Sequence, residues 1–438
     1  MAPSVNAVRP SLSRRSSWSP GRTAWWVTCL LVVAVPALAV LVRGYVGADV
    51  AVYRRGGEDV GRLDDLYRAG WQGLPFTYPP FAALAFWPLH LVSPVVMSAL
   101  WSALVGGLLA RTTWLLAGPL LAAPPTAEDA VGRDAKAKGA AGGWRRSAYL
   151  RATLLLAATV VSEPVLRTWL LGQVNVLVVW LLVEDWLGRG RLRGWLTALA
   201  VGVKLTPAVV GLALVLEGRW KTLGATVVGT LGTVAVAWLV RPHSSVTYWC
   251  GALLDPGRVG GIEYVGNQSL QGVIWRLAGP GGAPAVWGTS ALLTVGLAAL
   301  AARRAVGAGD RLGALLGCLV AGWLVSPISW SHHWVLLVPF LVWCWRGRDL
   351  AVRLVVVALL PWAYGWLPWL TPSEHHAEFH HTPWQQLLVN AQPLLTLLLL
   401  ALVAVRPRWS RASDDLVVQP AATCHSRPAT QGALSSAR

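Results

Sequence analysis

The sequence predicts an all-α, polytopic membrane protein, a bundle of roughly 10–13 transmembrane or half-membrane helices by the length an apolar run needs to cross a bilayer. Three observations carry that expectation. Hydrophobic residues make up 55% of the 438 residues and charged ones 13%, with a mean hydropathy of +0.51, whereas soluble domains carry about a quarter charged residues. Apolar runs of spanning or near-spanning length recur along the whole chain. Between them sit short clusters of Arg and Lys, and many of the 27 tryptophans, among them Trp25, Trp26, Trp186, Trp195, Trp330, Trp366 and Trp369, mark run ends, where an indole favours the headgroup level. The formal charge of +17 would suit a nucleic-acid binder, but the arginines form no basic helix or aromatic-interleaved stripe. The partner they imply is a lipid bilayer with basic loops on its cytoplasmic side, and no nucleic acid. The five cysteines, Cys29, Cys250, Cys318, Cys344 and Cys424, show no CxxC spacing and predict neither a disulfide framework nor a zinc site.

Charge near the segment ends orients the elements in turn. Residues 1–23, with Arg9, Arg14, Arg15 and Arg22, read as a disordered cytoplasmic N-terminus, and residues 24–43 as the first span. That stretch also resembles a signal peptide, down to an "ALA" at 37–39, but its apolar length of about 20 residues favours an uncleaved anchor. The span delivers an external loop, 44–78, which carries Asp49. The run 81–92 reaches only about 18 Å as a helix and is expected to be re-entrant or interfacial, ahead of a span over 95–117. The Gly/Ala/Pro-rich loop with Arg133, Lys136, Lys138, Arg145, Arg146 and Arg151 is placed inside. So are the turns at Arg189, Arg191 and Arg193, at Arg219 and Lys221, at Arg303, Arg304 and Arg311, at Arg346 and Arg348, and at Arg406, Arg408 and Arg411. All of these face the cytoplasm at once if the external connections are 44–78, the turn around Glu163 and Pro164, 241–283, 326–333 and 371–386. The run 194–218 lies between two inner turns and is interrupted by "KLTP", which predicts two half-helices meeting near Lys204 and Pro207. Residues 24–405 thus make one membrane domain with 44–78 as its catalytic loop, and 406–438, rich in Ser, Ala and Arg, reads as a disordered cytoplasmic tail.

Several polar groups that hydropathy does not explain fall on the same outer face. Asp49 follows the first span in "ADVAVYRRGG", with Tyr53, Arg54 and Arg55 behind it. "LPFTYPPFAALAFWPL" adds Tyr78 before a double proline that fixes an extended backbone. "GQVNVLVVWLL" buries Gln173 and Asn175 one turn into a membrane helix, and "VGVKLTP" holds Lys204 with no acid nearby. "NQSLQG" supplies Asn267 and Gln268, and "SPISWSHHW" supplies His332 and His333. A charge inside the bilayer costs roughly 2.5–3.5 kcal/mol on insertion scales and tends to face a cavity and serve a function. Each group also has a plain reading: a snorkelling Lys204, interhelical hydrogen bonds for the amides, interface histidines, headgroup contacts for Arg54 and Arg55, a boundary acid at Asp49. The functional reading of Asp49 is a general base, since a carboxylate held at a rigid helix end on the water side can take a proton from an attacking hydroxyl. The natural counterpart of Lys204 is a phosphate.

These six motifs, in this order, resemble the polyprenyl-phosphate-mannose-dependent α-1,2-mannosyltransferases of actinobacteria, glycosyltransferase family 87 in the glycosyltransferase C superfamily, over residues 24–405. The resemblance implies a multi-pass enzyme of the bacterial plasma membrane, both termini cytoplasmic. It implies transfer of mannose from a polyprenyl-phosphate-mannose donor, at the outer face, to a glycolipid or lipoglycan acceptor. It places the catalytic base on Asp49, puts His332 or His333 in the same pocket, and suits Lys204 to the donor phosphate. The implied mechanism is a single inverting displacement with electrostatic help for the leaving phosphate from Lys204, Arg54 or Arg55. No cofactor is called for, and no metal: no second carboxylate accompanies Asp49 in a DxD arrangement.

Two other classes compete. A transporter or flippase for a lipid-linked sugar or other envelope precursor would also line a path with intramembrane Lys and His, but paired half-repeats are not found. A metal-binding loop is suggested by "EHHAEFHH" at 374–381, with His376 and His380 four apart. It is not HExxH, and a solvated loop at the lipid interface is its default reading.

Overall fold

The computed structural model describes residues 20–62, 66–67, 70–121, 137–188, 190, 192–279, 284–347 and 349–406. The terminal stretches 1–19 and 407–438, most of the basic loop before 137, and Arg189, Arg191 and Arg348 lie outside the described residues. Those described form an all-α polytopic bundle whose only sheet is a two-stranded hairpin, Gly70–Trp71 against Leu74–Pro75.

Helix α1 (Pro20–Arg43) is the first span and packs along α4 (Pro94–Leu121). Gly106 permits that contact, since a side chain there would strike the Val32 carbonyl, the small-residue approach typical of membrane helices. Between them, α2 (Ala48–Asp59) carries Asp49 in its first turn, where the helix dipole favours an acid. α3 (Pro80–Phe86) and the 3-10 turn Trp87–Leu91 form the short apolar segment expected before the α4 span. α5 (Ala137–Val160) meets α6 (Glu163–Leu171) at a 67° bend between Ser147–Val160 and Glu163–Leu171, with Pro164 in the first turn of α6.

Gly172 ends α6 in the left-handed region (φ 70), and α7 (Asn175–Leu187) begins three residues on. Gln173 and Asn175 therefore do not lie inside a continuous helix, as the hydropathy suggested. Gln173 occupies the break and Asn175 opens the next helix. The glycine at 172 causes this, because it lets α6 close on itself by Gly172 N–H donating to Trp169 O and Gln173 N–H to Thr168 O.

α8 (Trp195–Val203) starts on Asp185, whose carboxylate accepts from Gly194 N at 2.9 and 2.8 Å and from Thr197 Oγ1 at 2.6 Å. It stops at Lys204, and after the turn Thr206–Val209 the chain continues as α9 (Val210–Leu216). The predicted pair of half-helices is what forms. α10 (Trp220–Val240), α11 (Pro242–Cys250), α12 (Leu270–Ala278), α13 (Pro284–Gly307), α14 (Arg311–Val325), α15 (Leu337–Trp345), α16 (Leu350–Tyr364) and α17 (Pro383–Val405) complete the bundle. Among the described residues, five helices are long and apolar enough to cross a membrane (α1, α4, α10, α13, α17), or six with the bent pair, alongside four shorter apolar helices. Leu292 on α13 is 76% exposed and Leu231 on α10 62%, a pattern that water penalises and lipid accepts.

The basic turns come together at one end. Glu217 holds Arg219 at 3.7 Å and Arg311 at 3.2 Å, Arg219 lies over the Trp186 ring, Trp343 Nε1 donates to Asp310, and Arg406 pairs with Asp349. Asp49, Tyr78, Gln173 and the 262–269 and 326–333 loops gather elsewhere in the bundle.

Candidate active site

The site begins with a contact between two glycines. A side chain at Gly47 would strike the Leu171 carbonyl, and one at Gly172 would strike the Val50 side chain. Because both are glycines, the first turn of α2 sits directly on the last turn of α6, which brings Asp49 to Gln173. Tyr53, one turn beyond Asp49, is fully buried and stacks on Phe86 with ring centroids 4.5 Å apart. Its hydroxyl lies 2.8 Å from that of Tyr78 and donates to Gln173 Oε1 at 2.9 Å; Tyr78 donates to the same oxygen at 3.3 Å. With Oε1 taken by the two phenols, the NH2 of Gln173 is left for the Asp49 carboxylate.

Burial pushes the Asp49 carboxyl up to about 6, opposed by Gln173 and by the charges of Lys204 and Arg167. A carboxylate in that range is still mostly ionised at neutral pH and is a better base than an ordinary surface aspartate.

Lys204 sits where α8 breaks. Its ammonium donates to Asn175 Oδ1 at 2.8 Å and lies 2.9 Å from His333 Nε2, with the Tyr78 ring 5.7 Å away. An ammonium has three donors, so a third remains for a ligand. The carbonyl of His332 accepts from Asn175 Nδ2 at 2.8 Å, which ties the histidine pair to the same helix start. His332 is buried, its ring meets His333 edge-on at 5.0 Å, and among the described residues neither of its ring nitrogens has a hydrogen-bond partner. Unpaired buried polar atoms are uncommon, and these two belong to the ring that packs on His333, which lines the cavity. From Lys204, Asn175 and His333 an apolar cleft runs between α7, the Thr206–Val209 turn and α14, walled by Val178, Leu182, Val209, Leu319 and Trp323.

The other residues expected at the site are placed differently. Arg54 and Arg55 turn to the acids of their own helix: Arg55 Nε is 3.1 Å from Asp59, both arginines approach Glu58, and Arg54 donates to the His90 carbonyl. The cations bearing on Asp49 are Lys204 and Arg167 instead. Asn267 is fully buried, and its amide is spent: Nδ2 donates to the Ile262 and Pro327 carbonyls, and Oδ1 accepts from Ser269 N and Ser329 N. It clamps the 262–269 loop to the loop that carries the histidines, so it has no capacity left for a ligand. Gln268 donates to the Val265 carbonyl and its backbone N–H to Ser329 O, beside that clamp. His376 of the histidine-rich loop is taken by Glu263 at 2.7 Å.

Sequence reasoning missed Arg167. It stands in "EPVLRTWLLGQ", an arginine in an apolar run with an acid four residues earlier, which is the signal that was available. Its Cζ lies 3.8 Å over the Trp369 ring and its Nε 3.7 Å from Glu163, whose Oε1 also accepts from Ser331 Oγ at 2.8 Å and Trp369 Nε1 at 3.0 Å.

Comparison with known proteins gives the class of molecule to which this bundle and cavity belong: a membrane glycosyltransferase. The family model for glycosyltransferase family 87 matches residues 76–327, more than half of the chain, and the chain belongs to that family. A polyprenol-phosphate-mannose-dependent alpha-(1-2)-phosphatidylinositol pentamannoside mannosyltransferase of Mycolicibacterium smegmatis is 37% identical over 309 residues, 68% of each chain. A protein of the same description from Mycobacterium tuberculosis is 34% identical over 383 residues, 82% of each chain. A phosphatidylinositol mannoside mannosyltransferase of M. smegmatis, dependent on the same donor, is 33% identical over 367 residues, 77% of this chain and 79% of its own. No solved structure matches the chain at comparable significance. The protein is thus a mannosyltransferase with several apolar membrane helices. The family match begins beyond Asp49 and ends before His332.

Proposed function

We propose that this enzyme moves mannose from polyprenyl-phosphate-mannose to a phosphatidylinositol mannoside or related glycolipid at the outer face of the plasma membrane, with inversion and with Asp49 as general base. The observation that carries the reading is a lysine with a donor to spare at the polar end of an apolar cleft, close enough to the raised Asp49 carboxyl for their charges to act on each other. The cleft suits a branched hydrocarbon chain, and a lysine at its polar end suits the phosphate at the head of that chain. The donors and acceptors named for the relatives fit this chemistry. The basic turns gathered at one end favour a cytoplasmic position for that end.

In the displacement, Asp49 accepts the proton of an acceptor hydroxyl as its oxygen bonds to the anomeric carbon. The bond from that carbon to the phosphate oxygen breaks, and the electron pair leaves with the polyprenyl phosphate. Charge on the phosphate rises at that moment, and the free donor of Lys204 is placed to meet it. Asn175 and His333 hold the ammonium, and the two tyrosines hold Gln173 against Asp49, so little reorganises during the reaction. NMR of the isolated product tests the reading: the transferred mannose is expected to show the anomeric configuration opposite to that of the donor. Retention would exclude a single displacement and, with it, a base-only role for Asp49.

A further inference from the structure

The residues around Arg167 are used by no step of the displacement above, yet they are tied together as closely as those around Lys204. The guanidinium lies over Trp369, Tyr264 meets Trp369 and Trp330 at ring-centroid distances of 5.9 Å each, and buried Glu163 ties Trp369, Ser331 and Arg167 to one carboxylate. The Arg167 side chain is 17% exposed with Nε buried, and among the described residues Nη1 and Nη2 make no hydrogen bond. A planar fork of donors, fixed in advance and partly open, is thus presented to whatever enters.

Its place relative to Lys204 is set by a chain of contacts. Thr168, the next residue, donates from Oγ1 to the His332 carbonyl at 3.3 Å, that carbonyl also accepts from Asn175 at 2.8 Å, and Asn175 holds Lys204, which touches His333. Along these contacts the order is Arg167, then His332, then Lys204 with His333, and Asp49 stands close enough to both cations for their charges to act on it. In a single displacement the attacking oxygen enters opposite the leaving phosphate, and its base stands on the entering side. The acceptor must then lie beyond Asp49 from Lys204, where Arg167 is.

Resting on the function proposed above, we propose that Arg167, with Trp369 and Tyr264, forms the acceptor subsite and grips the terminal sugar of the acceptor glycan. The guanidinium fork can donate two parallel hydrogen bonds to a vicinal pair of sugar hydroxyls. The aromatic edges and faces beside it offer an apolar surface with polar tips, the character of a sugar ring that is C–H on its faces and hydroxylated on its rim.

Steady-state kinetics of the full-length protein in lipid nanodiscs test this, with polyprenyl-phospho-mannose as donor and phosphatidylinositol mannosides as acceptor. Arg167→Gln is expected to raise the acceptor KM about ten- to a hundredfold, the worth of one or two charge-assisted hydrogen bonds, and to leave the donor KM and product inhibition by polyprenyl phosphate unchanged. Arg167→Lys, which keeps the charge but loses the fork, is expected to resemble Arg167→Gln. Trp369→Phe retains a ring without the indole N–H and is expected to raise the acceptor KM less than Arg167→Gln. Thermal unfolding of each variant in detergent identifies any that fails to fold. A rise in donor KM, unchanged acceptor KM, or full recovery by Lys would each overturn the subsite. A wild-type protein that transfers nothing from this donor would instead overturn the function on which it rests.

Discussion

Asp49 is where the chemistry is most exposed to test. With its carboxyl raised to about 6 by burial, the base is ionised above that value and protonated below it. Transfer at saturating substrates is therefore expected to fall about tenfold per pH unit below 6, measurable as the acid limb of a pH–rate profile. The same shift has a stability consequence. A carboxyl whose folded pKa lies above its unfolded value favours the protonated form in the fold, so the ionised group weakens the fold above about pH 6 and ceases to do so as pH falls below the unfolded value. Asp49→Asn should melt at or above the wild-type temperature at pH 8, and no higher than wild type at pH 4, in differential scanning measurements. Lys204→Gln is expected to cost roughly 10²–10³ in kcat, the scale of losing one preorganised donor at a developing anion, checked by single-turnover transfer. The side chains at Asp49, Tyr53, Tyr78, Gln173, Asn175, Lys204 and His333 were legible as a polar set because each interrupts an apolar or loop context. Arg54 and Arg55 were misplaced, since adjacency in sequence to Asp49 does not reveal that they sit on other faces of α2, beside Glu58 and Asp59.

Elements bring these side chains together through breaks rather than through regular helix. The Gly47–Gly172 contact docks α2 on α6, and Gly172 also requires a positive φ. Gly172→Ala should therefore lower both the melting temperature and the transfer rate, whereas Gly107→Ala on α4, which faces open space, should leave both unchanged. The Asn267 clamp makes a second prediction. Asn267→Ala leaves the buried Ser269 N and Ser329 N groups without their acceptor, at about 1–3 kcal/mol for each group left unsatisfied, which denaturant unfolding in detergent can measure. Hydropathy located the Lys204 break because "KLTP" is an obvious interruption. It missed the break at Gly172, because one glycine in an apolar run gives no count of how tightly another helix must approach.

At the scale of the whole molecule, charge and hydropathy patterning alone gave the all-α bundle, the short segment before α4 and the half-helices around Lys204. Long-range pairings were beyond it. Glu163 with Ser331 and Trp369, 168 and 206 residues apart in the chain, leave no periodic trace. The sidedness proposed above predicts that, in a cysteine-free background, Leu254→Cys is labelled by a membrane-impermeant maleimide applied to intact cells, while Lys221→Cys is labelled only after permeabilisation. Both positions are exposed, so a reversed pattern would put Asp49 on the cytoplasmic side. The most direct test of the account is transfer of labelled mannose from polyprenyl-phospho-mannose to phosphatidylinositol mannosides by purified wild type and Asp49→Asn in nanodiscs. Loss of a base predicts a fall of roughly 10²–10⁴-fold in the variant with polyprenyl phosphate still bound. Transfer by Asp49→Asn at the wild-type rate would contradict it.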